Sequence, residues 1–421
     1  MNFKKFLKFL VKYKLIKIFI NLLVLISIFI IFSKTITDLN SLFNFFDFTI
    51  ISSIIIVSIV NIIIISIEKF ILNNVEDSLK ITTNYNKLIS NYVFKNEYEW
   101  KNPNPSNVDQ SLPMLIVYKT DKLVVFPEII TCNLYHKQIE IIDNTNIYIP
   151  PKFVLDNYFE IMQSHLTSDI YNQLNIRVDD WYFDESKQKF IIKTSRTNYF
   201  NSLVTNRAMD YKLSNGFTVR SLYDYGPFVN PLNKSSLSNH LGFNGIIETS
   251  DNMILFIKRN KHLSTGKNVY GTSIAASLKC KYAINNNTFT LNGLKSAILN
   301  EIYDECKINC SDSEFKLEEN LIAAYRDLVE GGKPQLVFYV HLNNFTKDQL
   351  RMNFQSFTKK KKNKKHSTLE DGHKFLWIPK YDLNNITFGQ DYFKYKNKKY
   401  YTTPSMLVSF ILYIKHINEI S

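Results

Sequence analysis

Three acids crowd one short segment of this chain. In "LNEIYDECKI", residues 299–308, Glu301, Asp304 and Glu305 stand three and four residues apart, a spacing that puts their carboxylates on one face of a helix. Such a face either holds a divalent cation through oxygen ligands or simply meets water. The first case makes the protein an enzyme; the second leaves it a binding or structural protein.

Other chemistries are excluded early. No glycine-rich phosphate loop, Rossmann fingerprint, zinc-protease motif or kinase signature occurs in the sequence. The four cysteines, Cys132, Cys280, Cys306 and Cys310, are too few for a disulfide framework in 421 residues. Cys306 and Cys310 can neighbour each other on one helix, but no matching His or Cys pair completes a zinc site, so they read as unpaired cytoplasmic thiols. The formal net charge is +13, which favours anionic surfaces or ligands. Part of it is discounted, because the richness in Asn, Ile, Lys, Tyr and Phe with only 11 Gly is what an AT-rich genome produces.

The elements that would position the acids read as a mixture. "MLIVYKTDKLVVF", "KQIEIIDNTNIYI", "NGIIET", "MILFIKR" and "QLVFYVHL" are rich in β-branched and aromatic residues and read as strands. "KFVLDNYFEIMQSHL", "NGLKSAILNEIYDEC" and "EENLIAAYRDLVE" carry helical periodicity and read as helices. They interleave without a regular repeat, so the class is α+β. The C-terminal "PSMLVSFILYIKHINEI" reads as an amphipathic packing helix, too short for a span and carrying Lys415 and His416. The basic run "KKKKNKKH", residues 359–366, reads as a solvated loop.

The first seventy residues are different in kind. Two apolar stretches, 15–33 and 49–67, are long enough to cross a bilayer as helices. Five lysines precede the first stretch and the connector "TITDLNSLFNFFDF" has none, so the hairpin tip faces outward and both termini face the cytoplasm. Asn21 and Asn61 place amides within these spans, where hydrogen bonds between helices would favour assembly. Residues 1–14 form a basic cytoplasmic end, 68–95 a helical stalk, and 96–421 the soluble domain, opened by the proline-containing "KNPNPSNVDQ".

From 240 onward the order of pieces is a strand pair, "VYGTSIAASLK", the acidic helix, and "VEGGKPQLVFYVHL". This order resembles the Nudix hydrolase fold over residues 200–345, which implies a mixed-sheet α/β/α domain. Laid on the family's box, Glu301 matches the Glu, Asp304 and Glu305 take the paired acids, and Ile302 and Ile308 fit apolar positions. Asn300 replaces the Arg, Lys307 replaces the final Gly, and Asn286 and Asn292 stand where the first Gly and Glu belong. The retained acids are those that bind catalytic Mg²⁺ in the family; the support around them is altered, and contacts of that kind are worth roughly ten- to a hundredfold in affinity or activity.

The resemblance implies a nucleotide pocket, and Arg207, Arg220, Lys258, Arg259 and Arg326 are the cations placed to serve it, with Tyr325 a candidate base platform. With two N-terminal spans ahead of it, the chain resembles the transmembrane-Nudix effectors of bacterial cyclic-oligonucleotide antiphage systems. That implies a two-pass protein of the bacterial inner membrane, a cyclic-oligonucleotide ligand, a functional link to a nucleotide cyclase, homo-oligomer formation on activation, and no cofactor. The alternative is a membrane-anchored, Mg²⁺-dependent hydrolase of nucleoside diphosphate derivatives, for which Glu301, Asp304 and Glu305 would be the metal ligands. A third reading is an adaptor with no ligand.

Overall fold

The computed structural model describes residues 115–119, 123–165, 170–223, 230–259, 266, 268–311, 313–360, 372–389 and 391–420. Both expected spans, the stalk, the boundary near residue 96, Asn21, Asn61 and residues 361–366 of the lysine run lie outside the described residues. Among the described residues no helix is long and apolar enough to cross a membrane.

The expected α+β class holds. The larger sheet follows the order β1 (Leu115–Lys119), β2 (Leu123–Asn133), β12 (Leu321–Asp327), β13 (Lys333–Leu342), β6 (Gly242–Thr249), β7 (Met253–Arg259) and β14 (Gly372–Pro379). Short strands β8 (Tyr270–Gly271) and β9 (Ile274–Ser277) flank β7 and β6. Its pairs are antiparallel except β13 with β6. A smaller sheet sets β5 (Lys189–Asn198) between β3 (Gln138–Ile147), which is parallel to it, and β4 (Leu174–Asp184), which is antiparallel.

Two corrections to the sequence reading concern this frame. The segment 318–330, expected as a helix, is helical only at Leu317–Asn320 and then becomes β12. The reason is tertiary: every residue of β12 is buried, because the strand hydrogen-bonds to β2 on one side and β13 on the other. An apolar run such as "LIAAY" is compatible with either period, and central sheet position decides it. Residues 152–166, expected as one helix, instead make two five-residue helices, Lys152–Asp156 and Tyr158–Met162, joined at Asn157.

One apolar core lies between the two sheets and the acid helix, with Phe190, Phe243, Phe289, Ile298 and Phe338 in it. A second lies on the other face of the large sheet, under the C-terminal helix Pro404–Ile420, where Phe256, Tyr325, Phe393 and Phe410 meet. That helix is buried nearly all round, as a packing helix should be.

One ion pair within the small sheet also holds the hairpin that leads into the acid helix. Arg196 on β5 places both terminal nitrogens 2.6 Å from the carboxylate oxygens of Asp143 on β3. Both side chains are about one-twentieth exposed or less. Asp143 also accepts from the Thr194 hydroxyl and from the Phe289 amide, on a hairpin made of β10 (Ile284–Asn285) and β11 (Thr288–Phe289) that leads into the acid helix. Burial alone would raise the Asp143 pKa, but Arg196 and these two donors hold it below the usual carboxylate range.

Asp143→Asn should therefore destabilise the fold by about 3 to 5 kcal/mol, because it leaves the Arg196 charge buried without its counter-ion. A depressed carboxylate pKa contributes stability that is complete above the unfolded value near 4 and is lost as pH falls through the lower folded value. Denaturation of wild type and variant at pH 7 and at pH 3 checks both: the difference between them should shrink at the lower pH.

Candidate functional site

The acid helix forms as expected, over Leu291–Cys306; it is labelled α2 here, after α1 (Tyr199–Val204). Thr290 caps its start by accepting from the Gly293 amide. Lys307 ends it in the left-handed region, at φ 57°. That is the position where a helix prefers Gly, and the Lys307 amide closes the cap on the Tyr303 carbonyl at 2.8 Å.

The three acids lie in different surroundings, Glu301 and Glu305 buried and Asp304 half-buried. Glu301 is 1 % exposed and its carboxylate lies 2.7 Å from the Lys279 ammonium. Asp304 accepts from the Tyr282 hydroxyl at 2.7 Å. Glu305 is buried beside Cys306. Lys279 and Tyr282 come from the short helical turn Cys280–Ala283 and its cap, which packs on α2. The approach is close because Gly293 has no side chain: a Cβ there would stand 1.9 Å from the Ala283 carbonyl oxygen. The surroundings of Tyr282, burial first and Asp304 second, push its phenol pKa up, so it remains a donor.

This donor set does not fit a magnesium ion. Mg²⁺ binds in an octahedron of oxygens and retains several waters, whereas here an ammonium and a phenol engage two of the three acids from within the fold. Among the described residues, no group of three or more His, Cys, Asp or Glu is placed to hold a metal ion. As metal ligands, Glu301, Asp304 and Glu305 are thus a correction to the sequence reading under its hydrolase alternative. The partners that engage them, Lys279 and Tyr282, were not singled out from sequence; Lys-x-x-Tyr one turn apart was the only signal.

The expected ligand residues divide into two groups. Tyr325 is fully buried, and its hydroxyl bonds to Asn244 at 2.9 Å and to Ser405, so it offers no face to a base. This too corrects the sequence reading: a tyrosine on a central strand is enclosed on both sides of the sheet. Arg220 is 3 % exposed, pairs with Asp210 and donates to the carbonyls of Leu328 and Val329. Arg326, equally buried, donates to the carbonyls of Gly332 and Asn230. Both guanidiniums brace the turn between β12 and β13. Lys258 and Arg259 are half-buried neighbours on β7, so strand alternation sends them to opposite faces.

Arg207 and Arg259 approach that same turn from outside it. Arg207 bonds to the Tyr199 hydroxyl at 2.7 Å and lies 3.8 Å from Glu330, which also pairs with Lys333 at 2.9 Å. Burial alone would raise the Glu330 pKa, but Lys333, Arg207 and Arg259 bring it below its ordinary value. Asp327 is held the other way: burial and the neighbouring Glu330 push its pKa up to about 7. The structure therefore gathers Arg207, Arg220, Arg259 and Arg326 around "DLVEGGK", with Lys333 as a fifth cation. Glu330 and Lys333, flanking two glycines three residues apart, were the signal for it.

No family model matches the chain, and no curated protein matches it. Among solved structures, it is similar to DR0079 from Deinococcus radiodurans, at 10 % identity and a TM-score of 0.26, over 41 % of this chain and 83 % of that one.

Two variants test the local geometry. Lys307→Gly should stabilise the protein by about 0.5 to 1 kcal/mol, read by chemical denaturation, because Gly adopts the left-handed cap without cost. A raised carboxylate pKa contributes stability at low pH that is lost as pH rises through the folded value, here about 7. Asp327→Asn keeps the Oδ1 acceptor used by the Val329 amide but has no charge to bury. It should match wild type at pH 3 and exceed it increasingly between the unfolded value near 4 and the folded value of about 7, by roughly 1.4 kcal/mol per pH unit across that window, with no further change above it.

Proposed function

We propose that this chain is a membrane effector whose domain from residue 96 onward is a Nudix-like sensor of a cyclic nucleotide second messenger. Binding drives assembly, assembly brings the N-terminal hairpins 15–33 and 49–67 together, and the hairpins disrupt the bacterial inner membrane. The observation that carries the choice of sensing over hydrolysis is the Lys279–Glu301 pair. A fixed internal ammonium supplies the counter-charge that a hydrolase of this class would take from a metal ion, so the fold is kept while the acids serve packing.

Local geometry favours the Nudix-like reading of the segment. Two positions where the family has Gly are Asn286 and Lys307 here, and both have left-handed φ, 49° and 57°. Asn is among the residues that adopt this region most readily, and Lys307 is stabilised by its cap bond. The backbone path thus suits glycine even where glycine is absent. Ligand-driven assembly requires that the messenger bind the assembled form more tightly, since a ligand indifferent to the two states shifts nothing.

The test is thermal unfolding of the full chain in detergent with Mg²⁺, against cyclic di- and trinucleotides and against linear nucleoside diphosphate derivatives, with ligand integrity measured afterward. One cyclic compound, recovered intact, should stabilise the protein; at a hundred times its Kd the gain is about 2.7 kcal/mol. Turnover of a linear diphosphate with no response to cyclic compounds sinks the reading and restores the hydrolase. In vesicles, replacing Asn21 and Asn61 together by Leu should leave ligand binding intact and reduce leakage; undiminished leakage removes the amides from the mechanism.

A further inference from the structure

The last strands of the chain form a separate antiparallel sheet: β15 (Thr387–Phe388), β16 (Tyr392–Tyr395) and β17 (Lys398–Tyr401). Strand alternation gives it two faces. Phe393 and Tyr395 are buried on the inner one, where the Phe393 ring lies 5.7 Å from those of Phe256 and Phe410. That face belongs to the core under the C-terminal helix, so the sheet is fixed in place.

The outer face has a different composition. Tyr392 stands directly opposite Tyr401 and Lys394 directly opposite Lys399, with Thr387 beside Lys394 on the third strand. Residues opposite one another in an antiparallel pair share a face. Thr387, Lys394, Lys399 and Tyr401 are exposed, and Tyr392 is half-buried. Residues 392–401 include four lysines and no acid. Lys396, in the turn, lies 3.7 Å from Asp382. Among the described residues no acid pairs with Lys394, Lys398 or Lys399, so the charge of this face is not neutralised from within the fold.

The pairing calls for an anionic partner. Like charges directly opposite each other on two strands destabilise the pair. Lys394 and Lys399 therefore repel in the free protein, and anions set against them relieve the repulsion. The rings decide which anion fits. The Lys399 ammonium lies over the Tyr392 ring, 4.4 Å from its centre, and the Tyr392 and Tyr401 rings meet edge-on at 6.1 Å. Lys399 thus occupies the place over Tyr392 where a nucleic-acid base would stack. Exposed tyrosines among lysines suit instead the headgroup layer of an anionic bilayer, where rings with a polar tip and basic side chains collect.

We propose that the outer face of β15–β17 docks on an anionic lipid surface through Lys394 and Lys399, flanked by Tyr392 and Tyr401. The choice of a bilayer rests on the membrane reading above, in which the stretches 15–33 and 49–67 hold the chain at one. The unneutralised basic face does not depend on that reading.

The experiment places the full chain in nanodiscs of pure phosphatidylcholine or of an equal mixture of phosphatidylcholine and phosphatidylglycerol. Reaction of each lysine with a water-soluble acylating reagent is read by mass spectrometry, with the exposed Lys152 as reference. Acylation of Lys394 and Lys399 should fall at least about fivefold in the anionic discs while Lys152 is unchanged, and high salt should restore it. Amide hydrogen exchange over 392–401 is the second readout. It should slow in anionic discs for wild type and not for the double variant Lys394→Gln, Lys399→Gln, whose two positions are exposed and leave the core intact. Equal acylation in both discs, or slowed exchange that persists in the double variant, overturns the docking face. Protection by a single-stranded oligonucleotide in neutral discs, with none from anionic lipid, also overturns it and makes the face a nucleic-acid surface. A chain that does not enter discs sinks the spanning reading, and the same acylation comparison with vesicles of the two compositions then decides the face: protection by the anionic ones supports it, and none overturns it. Failure of the docking face leaves messenger sensing as it stands, because neither lysine is assigned to that pocket.

Discussion

The carboxylate of Asp143 against the guanidinium of Arg196 is the contact on which the remaining geometry depends. It joins two parallel strands of the small sheet, and through the Phe289 amide it fixes the hairpin from which α2 departs. A two-pronged ion pair has direction as well as strength, so it sets the rotation of that hairpin and not only its distance. Thr290, the cap of α2, is the next residue along. The orientation of the acid helix thus begins at a charge pair on a different sheet.

The same pattern of internal compensation recurs at the acids themselves. Gly293 lets the turn at Cys280–Ala283 lie against α2, and that approach delivers Lys279 to Glu301 and Tyr282 to Asp304. At the β12–β13 turn, Glu330 takes Lys333 and Arg207 while Asp327 is left the harder to ionise. In a low-dielectric interior an unpaired carboxylate either finds a cation or holds its proton, and this chain uses both outcomes within a few residues.

Much of the fold was legible. Strands such as "MILFIKR" and "QLVFYVHL" declare themselves by β-branched and aromatic content, and "NGLKSAILNEIYDEC" by its period of apolar positions. What failed was "LIAAYRD", whose alanines and leucine suit a helix by propensity. Hydrogen bonding to a strand on each side outweighs a preference of a few tenths of a kcal/mol per residue. The β4–β5 pair escaped notice because "LNIRVDDWYFD" and "KFIIKTSRTN" mix charges into the strand pattern, and those charges face one another across the sheet.

The sequence by itself determined the α+β class and the acid helix with its boundaries, because periodicity and turn chemistry are local. Only the tertiary structure decided what those residues face. Glu301 meets Lys279 from 22 residues away, and Arg220 meets carbonyls more than a hundred residues distant. Tyr325 is sealed under a helix that begins at Pro404. Whether a charge is offered to a ligand or used inside the fold depends on such distant partners, since burial and pairing are properties of neighbours in space and leave no trace in local spacing.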